Sequence, residues 1–341
     1  MNPQVKQITT AHLPLRYPFA LGNGSKRTST PVVFLKLDCK GFLGMGEAAL
    51  PPYLVETPDS VRAFIDRVDW TQISYPFPMG EVHAYLNSLS FGDYAAKAAV
   101  DMALHDIKAQ MGMNPVSDLF ATTGLPAPPT SLTFGISTPD ELLRKFKDSK
   151  GFTRFKLKLG GPHDRACVEA LRQATPHPIN ADANQAWTDK EEVLDMLYFL
   201  HENGVKSLEQ PMPVGQFDDM CWLKERSPMP LIADESFQTL EDLAGLHGGF
   251  HGINIKLMKC GGIYPAMEII HAARIQNMSI QLGCMTESSL ATYAALVLAP
   301  LVDTVDLDGP WMVSDQPFAT PKLKAGRIVP PMLPGIGAKA L

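Results

Sequence analysis

Three observations predict an α/β protein built on a closed parallel (β/α) barrel, with a separate α+β unit ahead of it. From about residue 131 onward, short strand-like runs alternate with helix-like stretches eight times. Charged residues gather at the ends of those runs. The first 125 residues show neither pattern.

The runs begin near Ser131 (SLTFGI), Arg154 (RFKLKLG), Pro178 (PINADANQ), Lys206 (KSLEQP), Pro230 (PLIADES), Gly252 (GINIKLMK), Ser279 (SIQLGC) and Asp303 (DTVDLDG). Their starts lie 22 to 28 residues apart, the length that a strand, a turn and a helix require. Between them, Lys190–Asn203 and Ile263–Gln276 carry apolar residues three and four apart, the spacing of a helix with one buried face. Eight such units in succession predict a barrel. Ahead of it, Val32–Asp38 and Gly41–Glu47 predict a hairpin in a small antiparallel sheet, and Ser60–Arg67 and Ala95–Gln110 predict helices. Pro126, Pro128 and Pro129 mark a connector. The expected organisation is an α+β unit over 1–125, a barrel over 126–308 and a Pro- and Gly-rich segment over 309–341 that returns to the first unit.

Composition narrows the partners. The chain has 341 residues, 45% apolar and 19% charged, enough for a large core. A net charge of −6, with Lys26-Arg27 as the sharpest basic cluster, argues against nucleic acid. No uninterrupted apolar stretch reaches about 18 residues, so no membrane span is expected. The N-terminus lacks the apolar core of a signal peptide. Five scattered cysteines without a CxxC pair argue against a disulfide framework or a zinc knuckle. The expected setting is the cytoplasm.

The strand ends carry the chemistry, because a β/α barrel places its functional residues where strands pass into loops. Asp182, Glu209 and Asp234 end the third, fourth and fifth runs. Neighbouring strands lie about 4.8 Å apart, so three carboxylates there can reach one point. Oxygen-only donors suit Mg²⁺. Any one of these acids alone reads better as a salt-bridge partner or a helix cap; three at matching positions favour the metal. Lys156 and Lys158, two apart on one strand, share its inward face. Side by side they should depress each other's proton affinity, from about 10.4 towards roughly 7–8, with Lys158 as base and Lys156 as its electrostatic neighbour. Lys256 ends the sixth run, opposite Lys158, where two bases could serve the two faces of one carbon; alone it reads as a salt bridge to Asp234. Lys259 is expected in the following loop. Asp306 and Asp308 share a face at the end of the eighth run, either to grip a substrate ammonium or to cap a helix or pair an arginine. His105 is expected to be packed or paired.

Taken in order, GFLGMGEA, AAKAAVDMALHDIKAQMG, KLK, DANQAW, EQP, ADES, NIKLMKCGG and GCMTESS resemble the enolase superfamily, in its muconate-lactonising-enzyme-like branch, over essentially the whole chain. The resemblance implies a modified (β/α) TIM barrel with an N-terminal α+β capping domain. It implies that Asp182, Glu209 and Asp234 bind Mg²⁺, that Lys158 and Lys256 are an acid/base pair, and that the metal stabilises an enediolate formed on loss of an α-proton. DLDGP and GCMTESS are similar to the dipeptide epimerases of that branch. In these, the equivalents of Asp306 and Asp308 grip the free ammonium of a dipeptide, and Thr133, Cys284 and Met285 would line the pocket. Members acting on Ala-Glu carry an arginine in an N-terminal mobile loop, and Gly24 falls at that position here. Lys26 and Arg27 are close but out of register. The uncharged Ala20–Ser25 loop and sixteen methionines favour a small or apolar second side chain. The Gly22/Gly24 content suggests that residues 18–28 close over the substrate. The branch also contains muconate cycloisomerases, o-succinylbenzoate synthases and N-acylamino-acid racemases; none needs to bind a free ammonium, so Asp306 and Asp308 discriminate. A non-catalytic small-molecule binder would not need both lysines. Homo-oligomer formation is compatible with the sequence.

Overall fold

The computed structural model describes residues 1–20, 26–51 and 54–341. Two consecutive positive-φ residues, Lys40 (54°) and Gly41 (86°), make the tight turn that joins β2 (Lys26–Cys39) to β3 (Phe42–Ala49). The hairpin expected from the sequence therefore forms. It gains an outer strand that the pattern did not signal, β1 (Gln4–Ala20), antiparallel to β2. β1 is an edge strand, mostly exposed, with Pro14 and Pro18 near a register shift; prolines are tolerated at an edge, where one side needs no donor.

Three helices accompany this sheet: α1 (Pro58–Arg67) and α3 (Tyr94–Met111) pack on its strands, and α2 (Met79–Leu89) packs against α3. The alanine-rich α3 is almost wholly buried. It lies so close to β3 that a Cβ on Gly46 would stand 1.8 Å from the Ala99 carbonyl oxygen, and one on Gly44 2.1 Å from that of Ala103. Glycines on the strand and alanines on the helix thus form one matched interface.

The second half forms eight parallel strands, each paired with the next. They are β4 (Leu132–Phe134), β5 (Phe155–Lys158), β6 (Ile179–Asp182), β7 (Leu208–Glu209), β8 (Leu231–Ala233), β9 (Gly252–Ile255), β10 (Ser279–Gly283) and β11 (Thr304–Asp306). All eight expected runs become strands. The seam between β11 and β4 is narrow, held by a Thr130–Val305 bridge and a 2.9 Å bond from Ser131 N to the Val305 carbonyl. The outer layer consists of α4 (Pro139–Phe146), α5 (Asp164–Ala174), α6 (Lys190–Glu202), α7 (Phe217–Arg226), α8 (Leu243–Leu246), α9 (Leu257–Cys260), α10 (Ile263–Ile275) and α11 (Ser289–Leu296). Capping side chains set several starts. Thr138 and Glu141 form a reciprocal box at α4, and Asp189 accepts from the Glu191 and Glu192 amides at α6. After β11 only the four-residue α12 (Gly309–Met312) follows.

The tail carries a short hairpin, β12 (Leu323–Lys324) and β13 (Arg327–Ile328). Gly326 accepts from Thr130 N, beside the seam. Gly335 and Ile336 then bond to Asn114, Val116 and Asp106, which follow or belong to α3. Among the described residues, no helix is long and apolar enough to cross a membrane.

Gly46→Ala should destabilise the protein by about 1–3 kcal/mol or more in a urea melt, because the added methyl meets backbone that cannot yield. Gly215→Ala, where a Cβ would meet nothing within 4 Å, should stay within about 0.5 kcal/mol of the parent.

Candidate active site

At the C-terminal mouth of the barrel, Asp182, Glu209 and Asp234 each offer a carboxylate oxygen, and these oxygens lie within 4.8 Å of one another. All three residues are buried. Two sit on the last residue of their strand and Asp234 one residue beyond, so the parallel register brings the expected trio together. The donor set is entirely carboxylate oxygen, converging at one point, which fits a hard divalent cation such as Mg²⁺.

Four buried or nearly buried lysines balance these acids. Lys158 Nζ donates to Asp182 at 2.6 Å, and Lys156 Nζ to Glu209 at 2.6 Å. Lys256 Nζ reaches Asp234 at 2.6 Å. Lys156 also stands 3.1 Å from Asp182 and 3.2 Å from Asp306. Burial works against its ammonium, but the charges of Glu209, Asp182 and Asp306 outweigh it and hold its pKa well above the usual lysine range. The expectation that the two lysines of KLK depress each other therefore fails for Lys156, whose surroundings are anionic. Burial and the neighbouring Asp182 charge push Glu209 upward, against the pull of Lys156. Asp234 moves the other way: burial opposes its ionisation, and Lys256 and Lys259 hold it well below the carboxylate range.

Lys259 corrects a second expectation. It is not in a loop but on the single turn α9, and its Nζ is buried in a knot of four acceptors: Asp234 Oδ1 (2.6 Å) and the carbonyls of Asp234 (2.7 Å), Phe237 (2.9 Å) and Asn254 (3.0 Å). Two neutral donors also escaped the sequence reading. Asn254 Nδ2 and Gln281 Nε2 bond the two oxygens of Glu209 at 2.9 and 2.6 Å. The signal was present, since each is a polar residue inside an otherwise apolar strand, and Asn254 shares the face of Lys256 two residues on.

A cavity of about 70 Å³ opens over this cluster. Lys156, Lys158 and Lys256 line it, as do Thr133, Cys284, Met285, Asp306 and Asp308. Asp308 lies just past β11 at the head of α12, yet its side chain makes no cap bond; Oδ2 accepts instead from Thr133 N at 2.6 Å. Burial pushes its carboxyl upward despite that bond. Neither oxygen of Asp306 has a hydrogen-bond partner among the described residues, although Lys156 is close by. No arginine pairs with either acid among the described ion pairs. Arg27 lines the same cavity. Gly24 lies outside the described residues, as does nearly all of the Ala20–Ser25 loop.

The N-terminal unit holds two walls of the cavity in place. Glu47, fully buried on β3, accepts from Ser288 N at 2.8 Å, from the Ser288 hydroxyl and from Ala291 N at 3.3 Å, just after the Cys284–Met285 wall. Asp101 on α3 accepts from Ile263 N at 2.6 Å and Tyr264 N at 3.3 Å, at the head of the helix that follows Lys256 and Lys259. His83 and His105 hold the same carboxylate from behind, at 2.8 and 3.2 Å; His105 is thus both packed and paired.

Comparison with known proteins bears on the same residues. Residues 5–121 match the family model described as mandelate racemase/muconate lactonizing enzyme, N-terminal domain, and residues 140–340 match the one described as enolase C-terminal domain-like. The chain is 43% identical over 326 residues to an L-Ala-D/L-Glu epimerase of Bacteroides thetaiotaomicron, covering 95% of this chain and 85% of the relative. It is 37% identical to an L-Ala-D/L-amino acid epimerase of Pedosphaera parvula, covering 87% and 86%. Among solved structures, a dipeptide epimerase of Enterococcus faecalis complexed with Mg and L-Leu-L-Tyr superposes with a TM-score of 0.89 at 25% identity, covering 99% of this chain and all of that one.

Asp182→Asn, Glu209→Gln and Asp234→Asn should each weaken Mg²⁺ binding in titration calorimetry by about tenfold or more, the loss of one ionic ligand. Asp303→Asn, which breaks a half-exposed pair with Arg274, should leave the isotherm unchanged.

Proposed function

The chain belongs to the enolase superfamily, in its mandelate racemase/muconate lactonizing enzyme branch, and from that premise we propose that it is a Mg²⁺-dependent dipeptide epimerase that inverts the α-carbon of the C-terminal residue. One observation carries the reading. A single cavity joins two lysines, each tied to a convergent carboxylate, with a pair of acids at the end of the eighth strand, one of which has no hydrogen-bond partner among the described residues. The relatives named as dipeptide epimerases support it.

Asp182, Glu209 and Asp234 would hold the metal. When bound, Mg²⁺ supplies positive charge to a substrate carboxylate and so acidifies the adjacent carbon. The remaining work falls to side chains. Lys158 ends the second of eight strands and Lys256 directly follows the sixth, on opposite sides of the barrel. One, as the free amine, takes the α-proton; the other, as the ammonium, returns a proton to the opposite face. Asp182 and Asp234 each orient one of these amines through a 2.6 Å bond. Lys156 remains a cation that offsets Glu209, Asp182 and Asp306. Asp306 and Asp308 receive the dipeptide ammonium, with Asp308 fixed by Thr133 N.

The uncharged loop expected around Gly24 favours a small or apolar second side chain, while Arg27 in the cavity wall and the 43% identical relative speak for an acidic one. Our reading keeps the small or apolar class. Exclusive turnover of L-Ala-L-Glu would overturn it and assign Arg27 to the glutamate carboxylate. Five cysteines without a disulfide, three of them buried, support a reducing, cytoplasmic setting.

Proton NMR in D₂O with Mg²⁺ and a dipeptide panel tests the reaction: the C-terminal α-proton signal should vanish as the diastereomer appears. Lys158→Ala and Lys256→Ala should each slow epimerisation by roughly 10²–10⁴-fold. No exchange on any dipeptide, from protein that binds Mg²⁺, would reject the assignment. The double variant Asp306→Asn/Asp308→Asn separates this reading from the N-acylamino-acid racemases of the branch: it should abolish turnover of dipeptides, whereas a substrate without an ammonium would be processed regardless.

A further inference from the structure

A second cavity, of about 90 Å³, adjoins the first, and Phe19, Thr133 and Met312 line both. It lies between the end of β1, the edge of β4 and α12. A regular barrel would place a full helix after the eighth strand; here there is only a four-residue turn. Aromatic carbon forms much of its lining: the rings of Phe152 and Trp311 meet edge to face at 5.3 Å. On its rim Arg16 is exposed to solvent, and the other charged and phenolic groups meet one another. The Tyr17 hydroxyl donates to Asp148 at 2.9 Å, and Lys145 Nζ stands 5.6 Å from the Tyr17 ring centre. The cavity therefore offers apolar contact and no free buried charge.

We propose that this cavity is the subsite for the N-terminal side chain of the dipeptide, and that it selects an apolar side chain larger than methyl. The proposal rests on the epimerase reading, with the substrate ammonium at Asp306 and Asp308. Asp308 is bonded to Thr133 N at 2.6 Å, so an ammonium held there sits beside the residue common to both cavities. The first side chain branches from the carbon that bears the ammonium. From that carbon, the second cavity is the adjoining space on the Thr133 side. A methyl group is too short to cover the Phe152–Trp311 surface, whereas a leucine or phenylalanine side chain extends further by several carbons. Burial of that extra carbon is favourable on transfer from water, and a pocket discriminates by roughly tenfold or more per methylene.

The test is kcat/KM for L-Leu-, L-Phe- and L-Ala- dipeptides that share one second residue, run on the parent and on Trp311→Ala. The parent should favour L-Leu- or L-Phe- over L-Ala- by about tenfold or more, and Trp311→Ala should bring that ratio towards one. Turnover of L-Ala- dipeptides without the larger ones would overturn the subsite and leave the epimerase reading intact. So would a Leu/Ala ratio that Trp311→Ala does not move. No turnover of any dipeptide would bring down both. If Trp311→Ala fails to fold, the parent ratio alone decides, because a ratio of one or below contradicts the proposal.

Discussion

The structure depends on charge balance inside a barrel mouth from which water is largely excluded. Asp182, Glu209, Asp234 and Asp306 are all buried, and Lys156, Lys158, Lys256 and Lys259 stand among them. Isolated buried carboxylates would be expensive or would take up protons; interleaved with ammonium groups, most of them can stay ionised. The same balance places the chemistry. Lysines that neutralise acids on the strand ends are also the groups nearest any carbon held above those acids. Lys259, buried in carbonyl oxygens and without a place in the cavity wall, fixes Asp234 from behind and leaves its other oxygen to Lys256.

The N-terminal unit acts on this mouth from outside. Glu47 and Asp101 each present a buried carboxylate to backbone amides at the head of a barrel helix, α11 and α10 respectively, where partial positive charge favours an anion. Each of those helices follows a segment that lines or supports the cavity. The close approach of β3 and α3 makes Glu47 and Asp101 parts of one rigid body, so both walls are referenced to the same scaffold. Cys284 and Met285 on one side and Lys256 on the other therefore hold their spacing through contacts made outside the barrel.

Much of this was legible in the chain. Eight runs at regular spacing became eight strands, because a parallel strand buried on both faces must be a short apolar stretch and its crossover needs a helix. The acids and lysines were legible because charge at the end of such a stretch has few structural uses. β1 was not, because an exposed edge strand needs no apolar alternation and tolerates Pro14 and Pro18. The role of Lys259 was hidden by the one-turn α9, too short to leave a period of 3.6. The elevated proton affinity of Lys156 was hidden because it depends on carboxylates from three other strands, whereas adjacency in sequence showed only Lys158. Asn254 and Gln281 were visible as polar residues in apolar strands, but their common partner, Glu209, emerges only when the barrel closes.

That closure has a bearing on how the protein is made. The seam joins Thr130 to Val305 and is backed by Gly326, while Gly335 docks beside α3. A ribosome emits the β1–β3 unit first, then seven strands in order, each able to pair with the one before it. The first barrel strand meanwhile keeps one edge open until the polypeptide some 175 residues downstream, with its trailing hairpin, has left the exit tunnel. While the barrel strands are being made the nascent protein is thus an open curved sheet with an unpaired border, the form most exposed to intermolecular pairing, and the acids and lysines of the mouth meet Asp306 only when the final strand arrives.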